Sequence, residues 1–74
     1  MIINNVSDIG KIIKEIRKKQ NLTQPQLAAT SGVGVRFIVD LEKGKETAAI
    51  GKTLKVIKML GIDIEFKLPK MNEE

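Results

Sequence analysis

The 74-residue sequence predicts a mainly α-helical single domain: a bundle of four to five short helices followed by a C-terminal β-strand. Three observations carry that expectation. Apolar residues recur at helical spacing in segments covering about 8–20, 24–31, 35–43 and 49–60. Each segment is closed by a residue that tolerates a left-handed exit, namely Asn21, Gly32, Gly44 and Gly61. Beyond Gly61 the period drops to two, with Ile62, Ile64, Phe66 and Leu68 alternating with Asp63, Glu65 and Lys67 until Pro69 stops the run.

In the first helix, Ser7 or Asp8 is suited to cap, and Ile9, Ile12, Ile13 and Ile16 fall at i, i+3, i+4 and i+7 as a core stripe. Thr23 caps the second helix by accepting from the Gln26 backbone N–H, and the Gln26 side chain reciprocates in a capping box. Pro25 sits in the first turn, where its missing N–H costs no helical bond. Leu27 and Ala28 face inward, Gly32 ends the helix and Val33 plugs the corner. The third helix starts near Gly34 or Val35, buries Ile38 and Leu41, and stops at Gly44. After a polar connection at 45–47, the fourth helix is expected to bury Ile50, Leu54, Ile57 and Leu60, with Gly51 weakening its first turn by about 1 kcal/mol relative to alanine. A strand at 62–68 requires a partner. Ile2 and Ile3 near the N-terminus offer one, and the same strand of a second copy offers another. The second pairing is naturally symmetric and would make Ile62, Ile64, Phe66 and Leu68 a dimer interface; a frayed or locally packed tail is the plainer alternative.

A domain this small buries only about 60% of the surface its unfolded chain exposes. The chain has no cysteine for a disulfide and no histidine, which removes the usual zinc ligand sets, so added stability is expected from helix packing or dimerisation. No metal, cofactor or catalytic residue is expected: the sequence lacks the parts for acid–base or nucleophilic chemistry. GVGVRF imitates a dinucleotide fingerprint, but Phe37 stands where the third glycine belongs and no strand precedes it. No apolar run is long enough for a membrane span and no signal peptide is evident, which with the absent cysteines fits a cytoplasmic, nucleoid-associated protein. The net charge of +4 is unevenly placed. From Lys11 to Lys58 there are eleven Lys or Arg against four acids, +7, whereas the ends hold two against five, −3. A basic body is what phosphate binding needs; a solvated lysine-rich surface is the plainer alternative.

Residues 22–44 decide between those two, because two short helices joined by a tight glycine turn form a helix-turn-helix, whose second helix enters the major groove of double-stranded DNA. First-turn side chains of that helix reach base edges. Arg36 has the planar fork that suits guanine O6 and N7, and Val35 is placed for a thymine methyl. Val39 and Asp40 lie one turn on; Asp40 is suited to a cytosine amino group, to orienting Arg36, or to repelling wrong sequences. Phe37 is placed either to pack on the first helix or to lie against the sugar-phosphate edge, with the inward placement favoured. Thr23 and Gln24, at the start of the second helix, are aimed at a phosphate, and Lys43, Lys45 and Thr47 at the flanking backbone.

Thr23-Gln24, Leu27-Ala28, Gly32-Val33, Ile38, Leu41-Glu42 and Gly44-Lys45 resemble the helix-turn-helix signature of the Xre family, which includes the Cro and lambda-type phage repressors. The likeness covers about residues 9–60 and implies a lambda-repressor-like fold. It also implies that Arg17 and Glu42 form a structural salt bridge between the first and third helices. GVGVRFIVDLEKGK, followed by a helix and LGIDIEFKL, is similar to the HipB-type antitoxins. That resemblance implies a homodimer whose C-terminal strands join the subunits, a repressor of its own operon acting at a palindromic operator, and a HipA-like serine/threonine kinase toxin as partner. The alternatives are a free-standing phage or restriction-control repressor, and a protein-interaction module that reads no DNA.

Overall fold

A computed structural model describes residues 1–71 and contains four helices among them: α1 Val6–Lys19, α2 Gln24–Ser31, α3 Val35–Glu42 and α4 Ile50–Met59. The cap of α1 is Asn5, not Ser7 or Asp8. Its side-chain oxygen accepts from the Asp8 N–H at 2.9 Å, and the Asp8 carboxylate turns back to accept from the Asn4 N–H at 2.9 Å. Starting there brings Val6 onto the core side of the helix, where it packs against the buried cluster. Asn21 then leaves α1 with a φ of 59°.

The capping box of α2 is complete: the Gln26 N–H donates to Thr23 Oγ1 at 3.1 Å, and the Thr23 N–H donates to Gln26 Oε1 at 2.8 Å. Gly32 ends that helix at a φ of 70°, and the Val33 N–H closes on the Ala28 carbonyl at 3.0 Å. This sharp corner sends α3 across α2.

Ile13, Leu27, Ala28, Ile38, Leu41, Val56, Ile57 and Leu60 form the core, with all four helices contributing. The buried face of α1 is Gly10, Ile13 and Arg17. Gly10 is there because α1 crosses the C-terminal turn of α3 too closely for a side chain: a Cβ would run into the Leu41 carbonyl oxygen and stand 2.9 Å from that of Glu42. Of the four isoleucines in α1, Ile13 is fully buried and Ile9 and Ile16 lie partly buried against the core.

Two further expectations are corrected. The buried face of α4 is Thr53, Val56, Ile57 and Leu60, while Ile50 is 70% and Leu54 47% exposed. The helix is rotated so that β-branched Val56, not Leu54, meets the core, and the Thr53 hydroxyl is satisfied by the Ala49 carbonyl at 2.9 Å. The strand at 62–68 is also absent, since no strand forms among the described residues. Ile62 docks on the core and its N–H reaches the Ile57 carbonyl at 3.2 Å. Beyond it no backbone hydrogen bond is made among the described residues, because the N-terminal stretch does not pair with this segment and a strand exists only with a ladder partner.

Candidate nucleic-acid interface

The N-terminus of α2 and the end of α3 are locked together by one carboxylate. Arg17 of α1 donates to both oxygens of Glu42, from Nε at 2.7 Å and from Nη2 at 3.0 Å, and its Nη1 donates to the Leu22 carbonyl at 2.8 Å. The side chains of this pair are 9% and 3% exposed, so both charges are removed from water and each is met by several hydrogen bonds. Glu42 Oε1 also accepts from Gln24 Nε2 at 3.1 Å. Gln24, expected to be aimed at a phosphate, is therefore drawn inward to Glu42, and it couples the first turn of α2 to the end of α3. Thr23 spends its oxygen on the Gln26 N–H.

On α3, Ile38 and Leu41 point into the core, which leaves Val35, Arg36, Val39, Asp40 and the C-capping Lys43 on the outer side. Val35 is 43% exposed and the Arg36 side chain 82%. Val39 and Asp40 are half-buried. Asp40 is held from both sides: Arg36 Nε lies 3.4 Å from Oδ1 and Lys45 Nζ 3.6 Å from Oδ2. Asp40 thus lies between two cations, with one carboxylate oxygen at ion-pair distance from the Arg36 guanidinium. Lys45 reaches this position because its N–H bonds the Asp40 carbonyl at 3.1 Å, folding the chain after Gly44 back along α3. Thr47 is exposed in the following turn.

Phe37 packs against the core, as its inward placement required. Lys52 of α4 lies over its ring at 5.8 Å from the centroid, so a cation from a distant helix joins the rim of this surface. Lys52 and Gly10 both escaped the sequence patterns, since their neighbours come from elements far along the chain. No group of residues able to hold a metal ion occurs among the described residues.

The residues expected at a dimer interface lie apart from this surface. Ile64, 49% exposed, and Phe66, 85% exposed, line an apolar groove of about 510 Å³ together with Ile3, Ile12, Ile50 and Leu54. Ile62 lies at its base, and Leu68, 81% exposed, stands outside it.

Comparison with known proteins places these features in a wider setting. Residues 13–67 match the family model described as helix-turn-helix. The chain is 52% identical over 67 residues to an uncharacterized HTH-type transcriptional regulator, y4mF, of Sinorhizobium fredii, covering 90% of this chain and 88% of that protein. It is 42% identical over 53 residues to an uncharacterized HTH-type transcriptional regulator of Archaeoglobus fulgidus, covering 72% and 75%. Among solved structures, a chain of the HipA-HipB-O2-O3 complex superposes with a TM-score of 0.84 at 18% identity, over 95% of this chain and 99% of that one. A mutant of a restriction-modification controller protein superposes with a TM-score of 0.71 at 27% identity, over 85% and 80%.

Proposed function

We propose that this chain, which belongs to the Xre-type helix-turn-helix family of DNA-binding transcriptional regulators, is a dimeric repressor that reads a palindromic operator through the outer face of α3. The observation that carries the reading is Arg36. It is the one long cation in the exposed first turn of the helix that enters the groove, and Asp40 holds its guanidinium one helical turn away. A planar fork so oriented is suited to guanine O6 and N7, with Val35 and Val39 beside it for apolar contact to thymine methyl groups. Lys43, Lys45, Thr47 and the start of α2 at Thr23 and Gln24 grip the sugar-phosphate backbone and set the register, Gln24 by exchanging its bond to Glu42 for a phosphate.

Dimerisation is supported by the apolar groove and by the exposure of Ile64, Phe66 and Leu68, which nothing among the described residues covers. A second copy supplies both the apolar cover and the ladder partner for residues 62–68, and it links two half-sites. The fold shared with a chain of the HipA–HipB assembly supports an antitoxin role, with a HipA-like serine/threonine kinase as partner and the chain repressing its own operon. The higher identity to the restriction-modification controller favours a second reading, a free-standing regulator without a toxin. Co-purification with the product of the adjacent gene separates the two.

The reading of bases is tested by Arg36→Ala. Discrimination between operator and scrambled duplex should fall by about 1–3 kcal/mol with the fold retained. Equal weakening on both duplexes would make Arg36 a phosphate contact and overturn the assignment.

A further inference from the structure

Three lysines of α1, Lys11, Lys14 and Lys18, are exposed and have no acidic partner among the described residues, whereas Lys19 on the same helix pairs with Glu15 at 3.4 Å. We propose that these three form a second phosphate-binding ridge, which tracks the DNA backbone outside the half-site read by α3.

Their position follows from the contacts that fix α1. Ser7, Gly10 and Arg17 touch the end of α3: Ser7 lies under Gly44, Gly10 against the Leu41 and Glu42 carbonyls, and Arg17 on Glu42. At 100° per residue, Lys11, Lys14 and Lys18 stand on the shoulder next to those contacts, on the side where the chain continues through exposed Lys43 and Lys45. The opposite shoulder of α1 carries Ile9 and Ile12, which line the apolar groove. The two shoulders therefore face different partners. This placement rests on the dimer reading: when the groove faces the second copy, the lysine shoulder faces away from the two-fold axis, over the DNA beyond the operator.

The dimensions suit that role. From Lys11 to Lys18 the helix rises about 10 Å, at about 1.5 Å per residue. One strand of a duplex presents about three phosphates over that length, at roughly 3.4 Å each. The acids nearest in the sequence are committed elsewhere: Glu15 to Lys19, Glu42 to Arg17 and Gln24, and Asp8 to the Asn4 N–H. None of the three lysines is in a salt bridge among the described residues, so their charge is left for a polyanion to engage with release of its condensed counterions.

The test compares the wild-type chain with the triple variant Lys11→Gln, Lys14→Gln, Lys18→Gln on two duplexes. One is the minimal operator defined by footprinting; the other is the same operator with ten base pairs of unrelated sequence added at each end. Wild type should bind the longer duplex more tightly, and the slope of log K against log salt should be steeper there by about 2.7 per protomer, the value for three phosphates. Between 50 and 200 mM salt that is roughly a 40-fold larger loss of affinity per protomer. The variant should match wild type on the minimal duplex and gain nothing from the added ends. Equal slopes for wild type on both duplexes would overturn the proposal, as would equal weakening of the variant on both. Sedimentation keeps the two readings distinct: a monomeric wild type would sink the dimer reading, while the same comparison on a single flanked half-site would still test the ridge.

Discussion

Replacing Gly10 with alanine should destabilise this domain, although alanine is the better helix former. In an unobstructed helix the change is worth up to about 1 kcal/mol in favour of alanine. At Gly10 the new Cβ would meet the Leu41 carbonyl oxygen and lie 2.9 Å from the oxygen and 3.0 Å from the carbon of the Glu42 carbonyl. These are backbone atoms of the last turn of α3, held from behind by buried Leu41 and by the Arg17–Glu42 pair, so they cannot yield as a flexible side chain would. Overpacking of this kind costs about 1–3 kcal/mol, and the need to move backbone puts this case at the upper end, about 2–3 kcal/mol, which leaves a net loss of about 1–2 kcal/mol. For a domain of this size that lowers Tm by about 5–15 °C. Gly51→Ala is the control, because a Cβ there has nothing within 4 Å, and it should raise Tm modestly. Thermal melts followed by circular dichroism read both. Gly10→Ala should also weaken operator binding well below its Tm, since α1 and α3 can separate only by moving the end of the recognition helix. If Gly10→Ala melts at or above the wild-type temperature, the close crossing of α1 and α3 is wrong.

Ile64→Asp or Phe66→Asp should yield a monomer by sedimentation that still folds, because both side chains are exposed in the single chain, with a Tm lower than wild type and no longer dependent on protein concentration; a persistent dimer would move the interface elsewhere. Arg17→Met should cost about 3–5 kcal/mol in urea titrations, because it strands a carboxylate that is 3% exposed, and adding Glu42→Leu should recover most of the loss. A double variant as unstable as the single one would mean that the bonds to Leu22 and Gln24, not the stranded charge, set the cost.

How much could be read in the chain depended on the reach of each signal. The α2 cap lies within four residues, and Thr23, Pro25 and Gln26 each satisfy a backbone group that any helix start leaves free, so the complete capping box was legible. The α1 start was not, because Asn5, Ser7 and Asp8 are all competent caps and the choice turned on Val6 reaching the core. Gln24 looked like a phosphate ligand from its place in the helix. Its partner Glu42 is eighteen residues away, and only the packing of α2 against α3 reveals it. Three roles stay open to Asp40 in the sequence because the position of Lys45 depends on how the chain folds back after Gly44. Gly10 carried no local signal at all, being a helix-weakening residue inside a strongly apolar repeat; a reason for it exists only where two helices touch.

The misassigned face of α4 has the most to say about function. Its apolar residues cover a broad arc: Thr53, Val56, Ile57 and Leu60 turn inward, and Ile50 and Leu54 continue the surface outward. Periodicity marks such an arc as apolar but cannot say which part a single chain will bury. A domain of this size has too little mass to cover both parts. The uncovered part does not stand alone, since it meets Ile12 and Ile64 in one groove, with Phe66 at the rim. Residues 62–68 likewise carry an alternating pattern that finds no ladder partner among the described residues. Two unsatisfied demands, apolar cover and strand pairing, thus lie side by side on the face away from the lysine ridge. The symmetric contact proposed with a second copy would meet both, and it would also fix the distance between the two recognition helices.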